Sequence, residues 1–180
     1  MINKIRCLYK GLYMKRLVKR GLKLGNNVDF EKGVNIDANF PWLIEIGDNV
    51  ILSPWVYILS HDAACKHVTG MTRIGKVKIE KDVYIGAKTT ILPGCVIGEG
   101  SIIGANSLVN KDVPAYSVAA GNPVKVICTL EEYKEKYIPQ LNTYPQYDRS
   151  YTIWGGIDNT YKNEMVEQMK DRFAFINTEE

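Results

Sequence analysis

The sequence predicts an all-β core, a parallel β-helix wound from six-residue repeats, with a helix before it and a helical, aromatic-rich extension after it. Three observations predict that class. From residue 79 an aliphatic side chain returns at every sixth position, at Ile79, Ile85, Ile91, Ile97, Ile103 and Val109, and the series ends on Ala115. Four residues after each of these aliphatics stands a small or β-branched residue: Val83, Thr89, Cys95, Ser101, Ser107 and Val113. The same period runs upstream in another phase, through Leu22, Val28, Val34, Phe40, Ile46, Leu52 and Ile58, so the two series fall out of step between Ile58 and Ile79.

A period of six matches neither the 3.6 of a helix nor the two of one long strand, but it matches short strands joined by turns, three to a triangular coil. The aliphatic then points into the prism and the small residue fills the space beside it. Gly, Asn and Asp, including Gly86, Gly98 and Gly104, take turn positions that need unusual backbone angles. Stacked coils pair each strand with those above and below.

Taken in order, residues 1–21 read as a basic amphipathic helix, with Ile2, Ile5, Leu8, Tyr9, Leu12, Tyr13 and Leu17 at three- and four-residue steps. Two uses stay open for it: capping the open end of the prism, or lying on an anionic membrane. Residues 22–127 form the β-helix, with a loop extruded over about 61–76, where the pattern is lost. Residues 128–180 hold a short helix, Leu130 to Tyr137, stopped near Pro139. A stretch of aromatics follows (Tyr144, Tyr147, Tyr151, Trp154, Tyr161), then a helix carrying Met165, Met169 and Phe173 on one face. Packing against the prism or a second subunit is the expected use of these aromatics.

Charge narrows the function. The first 28 residues carry eight Lys and Arg and no acid, which leaves a mildly acidic body behind a basic arm and argues against a nucleic-acid-binding body. Cys7, Cys65, Cys95 and Cys128 lie at wide spacings without a Cys-x-x-Cys pair, and the first residues lack the apolar run of a signal peptide. The expectation is reduced thiols in a cytoplasmic protein, peripheral at the inner membrane face if the arm binds lipid. With only His61 and His67 available, a three-His zinc site is not expected, and no metal is assigned.

The run IGDNVILSPWVYILSHD, followed by IEKDVYIGAKTTILPGCVIGEGSIIGANSLVNKDVPAYSVAAGNPVKVI, resembles the left-handed β-helix O-acetyltransferases of the hexapeptide-repeat type. Galactoside, maltose and capsular-sugar acetyltransferases belong there, with streptogramin acetyltransferases as cousins. The resemblance covers residues 22–137 and is most specific over 83–127. It implies a homotrimer that binds acetyl-CoA between neighbouring prisms and passes the acetyl group to a saccharide or sugar-nucleotide hydroxyl. By the same matching, His61 in LSHD is the general base and Asn39 touches the acceptor. Tyr84 stands where sugar-specific members often carry Trp. Ala87 and Ala105 meet the pantetheine arm, and Lys111 and Lys125 approach the coenzyme arm and its phosphates. Asp62 departs from the Pro or Asn that several relatives have after the base, which bears on acceptor preference.

His61 suits the chemistry, because attack on a thioester requires loss of the hydroxyl proton to a group that titrates near neutrality. A lone His is more often structural; its place at the phase break sets this one apart. His67, in the same loop, reads as solvent-facing. Cys95 falls at a core position and Cys65 lacks an activating pattern, so direct transfer is expected without an acyl-enzyme. Lys111, Lys125, Tyr84 and Trp55 also read as ordinary surface residues. Three rivals remain: N-acetylation of a nucleotide-linked amino sugar, acetylation of a xenobiotic alcohol, and a non-catalytic β-helix scaffold.

Overall fold

The computed structural model describes residues 2–169 and 173–178, with side chains from residue 11 onward, and forms two compact units, residues 1–130 and 131–180. In the four coils of the first unit every strand is two or three residues long, because the turn residues interrupt the extended backbone within each hexad. The first coil is Lys23–Leu24, Asp29–Phe30 and Asn35–Ile36. The second is Ile44–Ile46, Ile51–Leu52 and Tyr57–Ile58. Val77–Ile79, Tyr84–Ile85 and Thr90–Ile91 make the third, and Val96–Ile97, Ile102–Ile103 and Leu108–Val109 the fourth.

Corresponding strands pair in parallel to give three faces. On the first face Leu24, Ile46, Ile79 and Ile97 are in register. Phe30, Leu52, Ile85, Ile103 and Ala119 are in register on the second. Ile36, Ile58, Ile91 and Val109 are in register on the third. All of these except Leu24 and Phe30, which are half-buried, have no or almost no exposed surface. Removing one such Ile down to Ala would cost about 2–5 kcal/mol, since a closed prism collapses poorly onto a cavity. Beyond the fourth coil, Ser117–Ala120 extends the second face, and Lys125–Thr129 returns antiparallel along it.

The register corrects the upstream phase. Partners Ile36 and Ile58 are 22 residues apart, four more than the 18 between Ile91 and Val109. The inward series in the first coil is therefore Leu24, Phe30 and Ile36. Val28 and Val34 belong to the companion column that continues through Val50, Val56, Val83 and Thr89, and Phe40 lies in a four-residue insertion outside the prism. The glycine reading also changes. Gly86 is not in the left-handed region; a Cβ there would come within 2.5 Å of the Ala105 nitrogen, so close approach of successive coils selects it. The left-handed turn positions hold Asn27, Asn49 and Asp82 at one corner, where Asn27 Nδ2 donates to Asn49 Oδ1 (3.0 Å) and Asn49 Nδ2 to Asp82 Oδ1 (2.8 Å). Trp55, Lys88 and Asn106 take the equivalent positions at the next corner.

The helix α1 (Ile2–Lys19) precedes the first coil. Met14 and Leu17 are buried in the prism core together with Leu22, and the Tyr13 hydroxyl donates to the Ile36 carbonyl (3.0 Å), so this stretch covers the end of the prism. Leu12, placed by the sequence on the apolar stripe, is exposed. The buried stripe over these last turns is Tyr13, Met14 and Leu17. The side chains of Ile2, Ile5, Leu8 and Tyr9 lie outside the described residues.

In the second unit, α3 (Leu130–Tyr137) runs into a 3-10 turn, Ile138–Asn142. A short parallel pair joins Gln146–Tyr147 to Phe175–Ile176. The tail aromatics pack on one another, Tyr147 on Tyr151 (4.8 Å) and Tyr151 on Tyr161 (4.6 Å). The Glu164 carboxylate accepts from the Tyr151 hydroxyl (2.9 Å) and pushes its pKa up to about 12. The helix α4 (Asn159–Gln168) is capped by the Asp158 side chain, which accepts from the Tyr161 nitrogen (2.9 Å). This helix is shorter than the sequence suggested: Met169 is its C-cap, and Phe173 stands beyond it, edge-on to Tyr144.

Candidate functional site

Both irregularities of the prism leave it at one corner, between the third face and the first. In the first coil the chain crosses that corner through Asp37–Leu43, ending in the 3-10 turn Pro41–Leu43. In the second coil it crosses through residues 59–76. There His61–Asp62 pairs antiparallel with Arg73–Ile74, and a four-residue helix, α2 (Lys66–Thr69), sits at the tip. Stacking brings the roots of the two insertions together, which sets His61 against Asp37.

Asp37 follows the inward Ile36 and occupies the column that holds Leu59 and Leu92 in the coils above. Its side chain is 2% exposed. Four donors serve its carboxylate: His61 Nδ1 and the Ser60 hydroxyl (2.7 Å) and amide (3.1 Å) at Oδ2, and the Asn39 amide (2.9 Å) at Oδ1. Burial pushes the Asp37 pKa up, but the bonds from His61, Ser60 and Asn39 outweigh it and hold the carboxyl below its ordinary value. The group is an anion that is buried and fully partnered.

That anion fixes the imidazole. In a neutral ring whose Nδ1–H donates to Asp37, Nε2 of His61 carries the lone pair and is the acceptor nitrogen. The His61 side chain is 30% exposed. Phe40 packs against it with ring centroids 5.6 Å apart, and Trp42, largely exposed, lies edge-on to Phe40 at 5.7 Å. The result is an imidazole held in one orientation beside an aromatic wall.

The other sequence-chosen residues fall on different parts of the prism. Asn39 shares the loop corner: its amide serves Asp37 and its side chain is exposed. Lys111 is at the same corner two coils farther on, exposed. Ala87 and Ala105 stack at the opposite edge of the third face, where the Asn106 amide donates to the Ala87 carbonyl (2.8 Å). Tyr84 lies on the second face, its hydroxyl bonded to Ser53 Oγ (3.0 Å), and Lys125 is exposed on the returning strand of that face. A single chain thus brings together His61 and Asn39 but not Tyr84, and it splits the alanines from Lys111 by the width of the third face. His67 is exposed on α2. Cys95 is buried, and its thiol is pushed up by that burial, which removes it as a nucleophile. Among the described residues no cluster of three His, Cys, Asp or Glu is set to hold a metal.

Asp37, Ser60, Phe40 and Trp42 were missed in the sequence. A signal existed for Asp37: an acid directly after an inward Ile, in a column that holds Leu59 and Leu92 in the next two coils, just where a second phase break of four residues begins.

The family model "Bacterial transferase hexapeptide (six repeats)" matches residues 76–111. The chain is 42% identical over 115 residues to "Putative acetyltransferase YvoF" of Bacillus subtilis (strain 168), covering 64% of each protein. To a chloramphenicol acetyltransferase of Escherichia coli it is 42% identical over 153 residues, covering 85% of this chain and 61% of that one. Among solved structures it is similar to a hexapeptide-repeat-containing acetyltransferase from Vibrio cholerae O1 biovar eltor complexed with acetyl-coenzyme A, at 29% identity, with 61% of each chain covered and a TM-score of 0.55. The chain spans 61–64% of the length of the curated relatives it matches first. The fold class is the one the sequence predicted, a left-handed parallel β-helix of hexapeptide repeats.

Proposed function

From its membership of the hexapeptide-repeat transferases, to which this chain belongs, we propose that it transfers an acetyl group from acetyl-CoA to a hydroxyl of a saccharide or sugar precursor, with His61 as general base. The observation that carries this is the buried Asp37 carboxylate bonded to His61 Nδ1 at the root of the loop. It supplies the tautomer, the orientation and a stabilising charge for the imidazolium that forms.

In the proposed step, Nε2 takes the acceptor hydroxyl proton as the oxygen attacks the thioester carbonyl. The tetrahedral oxyanion collapses, the C–S bond breaks, and the imidazolium returns its proton to the departing thiolate. Transfer is direct within a ternary complex, since Cys95 is buried and the Cys65 sulfur is turned toward the carbonyls of Asp62 and Met71. The separation of Ala87 and Ala105 from Lys111 by the width of the third face supports a homotrimer, in which one prism's alanine edge and a neighbour's loop corner would share a cleft.

The test is thiol release from acetyl-CoA with a panel of sugars and nucleotide sugars, run on parent and His61→Ala, with light scattering for mass. Acceptor-dependent release that requires His61, from a trimer, is the expected result; a monomer, or turnover that survives His61→Ala, overturns it. The chloramphenicol acetyltransferase match favours a second reading, an aryl alcohol acceptor held against Phe40 and Trp42. Including chloramphenicol in the panel separates the two.

A further inference from the structure

The last turns of α1 touch the chain on both sides of Asp37. The strand Asn35–Ile36 is the end strand of the third face, paired on one side only. Asn35 and Asp37 turn their amides to the second coil, donating to the carbonyls of Val56 (2.8 Å) and Ile58 (2.9 Å). Ile36, between them, faces the open end, where no coil precedes, and its amide and carbonyl need another partner. One side chain supplies it. The Tyr13 hydroxyl accepts from the Ile36 amide (3.0 Å) and donates to the Ile36 carbonyl (3.0 Å), so a single oxygen stands in for the next strand. Arg20, one residue past the helix, adds a longer bond from Nη1 to the Ala38 carbonyl (3.4 Å).

The helix end that carries Tyr13 is a fixed support, because Met14 and Leu17 are buried in the prism core together with Leu22. Packing sets where the hydroxyl stands. A strand end alone would accept water in its place, since Tyr13 is half-buried and the strand lies at the end of the sheet. The residue after Ile36 makes the difference. The Asp37 side chain is 2% exposed and its two oxygens take four donors, so the carboxylate cannot follow a moved backbone without giving up bonds. Groups that do chemistry tolerate displacements of only about 0.5 Å.

Resting on the reading of His61 as base, we propose that Tyr13 is a positioning residue: its hydroxyl holds the Ile36 backbone in place, and through it the Asp37 carboxylate that orients His61. The helix α1 then supports the site as well as covering the core. Asp62 and Arg73, the charged residues of the hairpin strands that carry and face His61, have partners of their own. Asp62 Oδ1 accepts from the Ala64 amide (2.8 Å), and Arg73 donates to the Pro93 carbonyl (3.5 Å). The orientation of the imidazole rests on Asp37 and, behind it, on Tyr13.

The chain has two histidines, so the imidazole NMR signals of the histidine-labelled protein are assigned by comparison with His67→Ala. Above the pH at which both rings lose their charge, His61 should show the Nδ1–H tautomer, and exposed His67 the exchange average of a free imidazole. In Tyr13→Phe the His61 signal should move toward that average while His67 stays in place. The ring and the helix packing remain, so the melting temperature should fall by no more than about 6 °C. Turnover should fall about three- to tenfold with acetyl-CoA KM unchanged, less than the ~10²-fold of a full 1 Å misplacement. Arg20→Ala, a change at an exposed side chain, should move the His61 signal in the same direction by less. Ile85→Ala, which lowers stability more from within the third coil, should leave it unmoved. A His61 signal unmoved in Tyr13→Phe overturns the proposal and makes the hydroxyl a plain cap on a strand end. An equal shift in Ile85→Ala overturns it too, because the shift would then follow from lost stability. If Tyr13→Phe does not fold, Arg20→Ala decides, and an unmoved signal there is the overturning result. The tautomer is read without donor or acceptor, so this failure is distinct from failure of the acetyl-transfer reading, which is decided by His61→Ala.

Discussion

The loop corner of the first two coils and the same corner of the last two are built from one repeat and carry different things. In the third coil the chain crosses it in four residues, Leu92–Cys95, and the column position after the inward Ile91 is a half-buried Leu. In the first coil that position is Asp37, and the chain takes four residues more; in the second coil it takes fifteen more and returns through a hairpin. The regular corner is closed by bonds between coils, one of them from the Val96 amide to the Asp112 side chain (2.8 Å), and its polar side chains stay exposed. The irregular corner buries a carboxylate with its donors and leaves an imidazole at the surface. Repetition supplies rigidity, and the proposed chemistry would sit where repetition is interrupted on top of it.

If that division holds, His61→Ala should show the largest effect on turnover and almost none on stability. Removing a positioned general base costs about 10²–10⁴ in rate. The imidazole is partly exposed and fills no part of the prism, so the melting temperature should stay within about 2 °C of the parent. A large loss of melting temperature together with activity would make His61 a structural residue and erase the contrast.

Asp37→Asn comes next. The amide can no longer stabilise an imidazolium, and turnover should fall by about 10²-fold with acetyl-CoA KM little changed. The sign of the acid response also follows. A carboxyl whose folded-state pKa lies below its unfolded value stabilises the protein above about pH 4, the ordinary Asp range, and that stability is lost as pH falls through the lower folded value. Denaturant melts below pH 4 should therefore lose less stability on acidification in Asp37→Asn than in the parent. Parallel acid profiles would mean that Asp37 titrates no differently when folded.

The reverse experiment is made in the regular region. Ile85 has no exposed surface, and Ile85→Ala should cost about 2–5 kcal/mol, lowering the melting temperature by about 6–12 °C, while turnover per folded molecule stays within about twofold. A collapse of turnover at temperatures where the variant is folded would show that the regular coils tune the site rather than carry it.

The same contrast explains what could be read in advance. His61 was legible because fifteen extra residues visibly destroy a hexad pattern. Asp37 was not, because Val28 and Val34 from the companion column and Phe40 from the insertion stand by chance at six-residue steps leading into Ile46, and an unbroken series conceals a four-residue insertion. Periodicity locates strands that point inward; it is blind to an insertion whose residues happen to continue the count. The face of α1 that meets the prism was read with one error, Leu12, because helical spacing alone does not say which stripe an asymmetric prism end receives. In the tail, Tyr147, Tyr151 and Tyr161 have no repeat to set their neighbours, and their mutual stacking followed from chain geometry that spacing does not encode.

The smallest expected effect is the most selective. His67 lies in the same insertion as His61, six residues on, exposed on the four-residue helix at the tip, where Val68 and Met71 are also exposed. If what matters is merely belonging to the insertion, His67→Ala should damage turnover as His61→Ala does. If what matters is being anchored by the insertion's root to a buried group of the coil beneath, His67→Ala should change turnover by less than about twofold, because its ring is exposed at the tip and Asp37 accepts from His61 instead. Kinetics of both variants with one acceptor decides between these two statements. A loss at His67 matching that at His61 would move the site from the root of the loop to its tip, and with it the reason for the buried carboxylate.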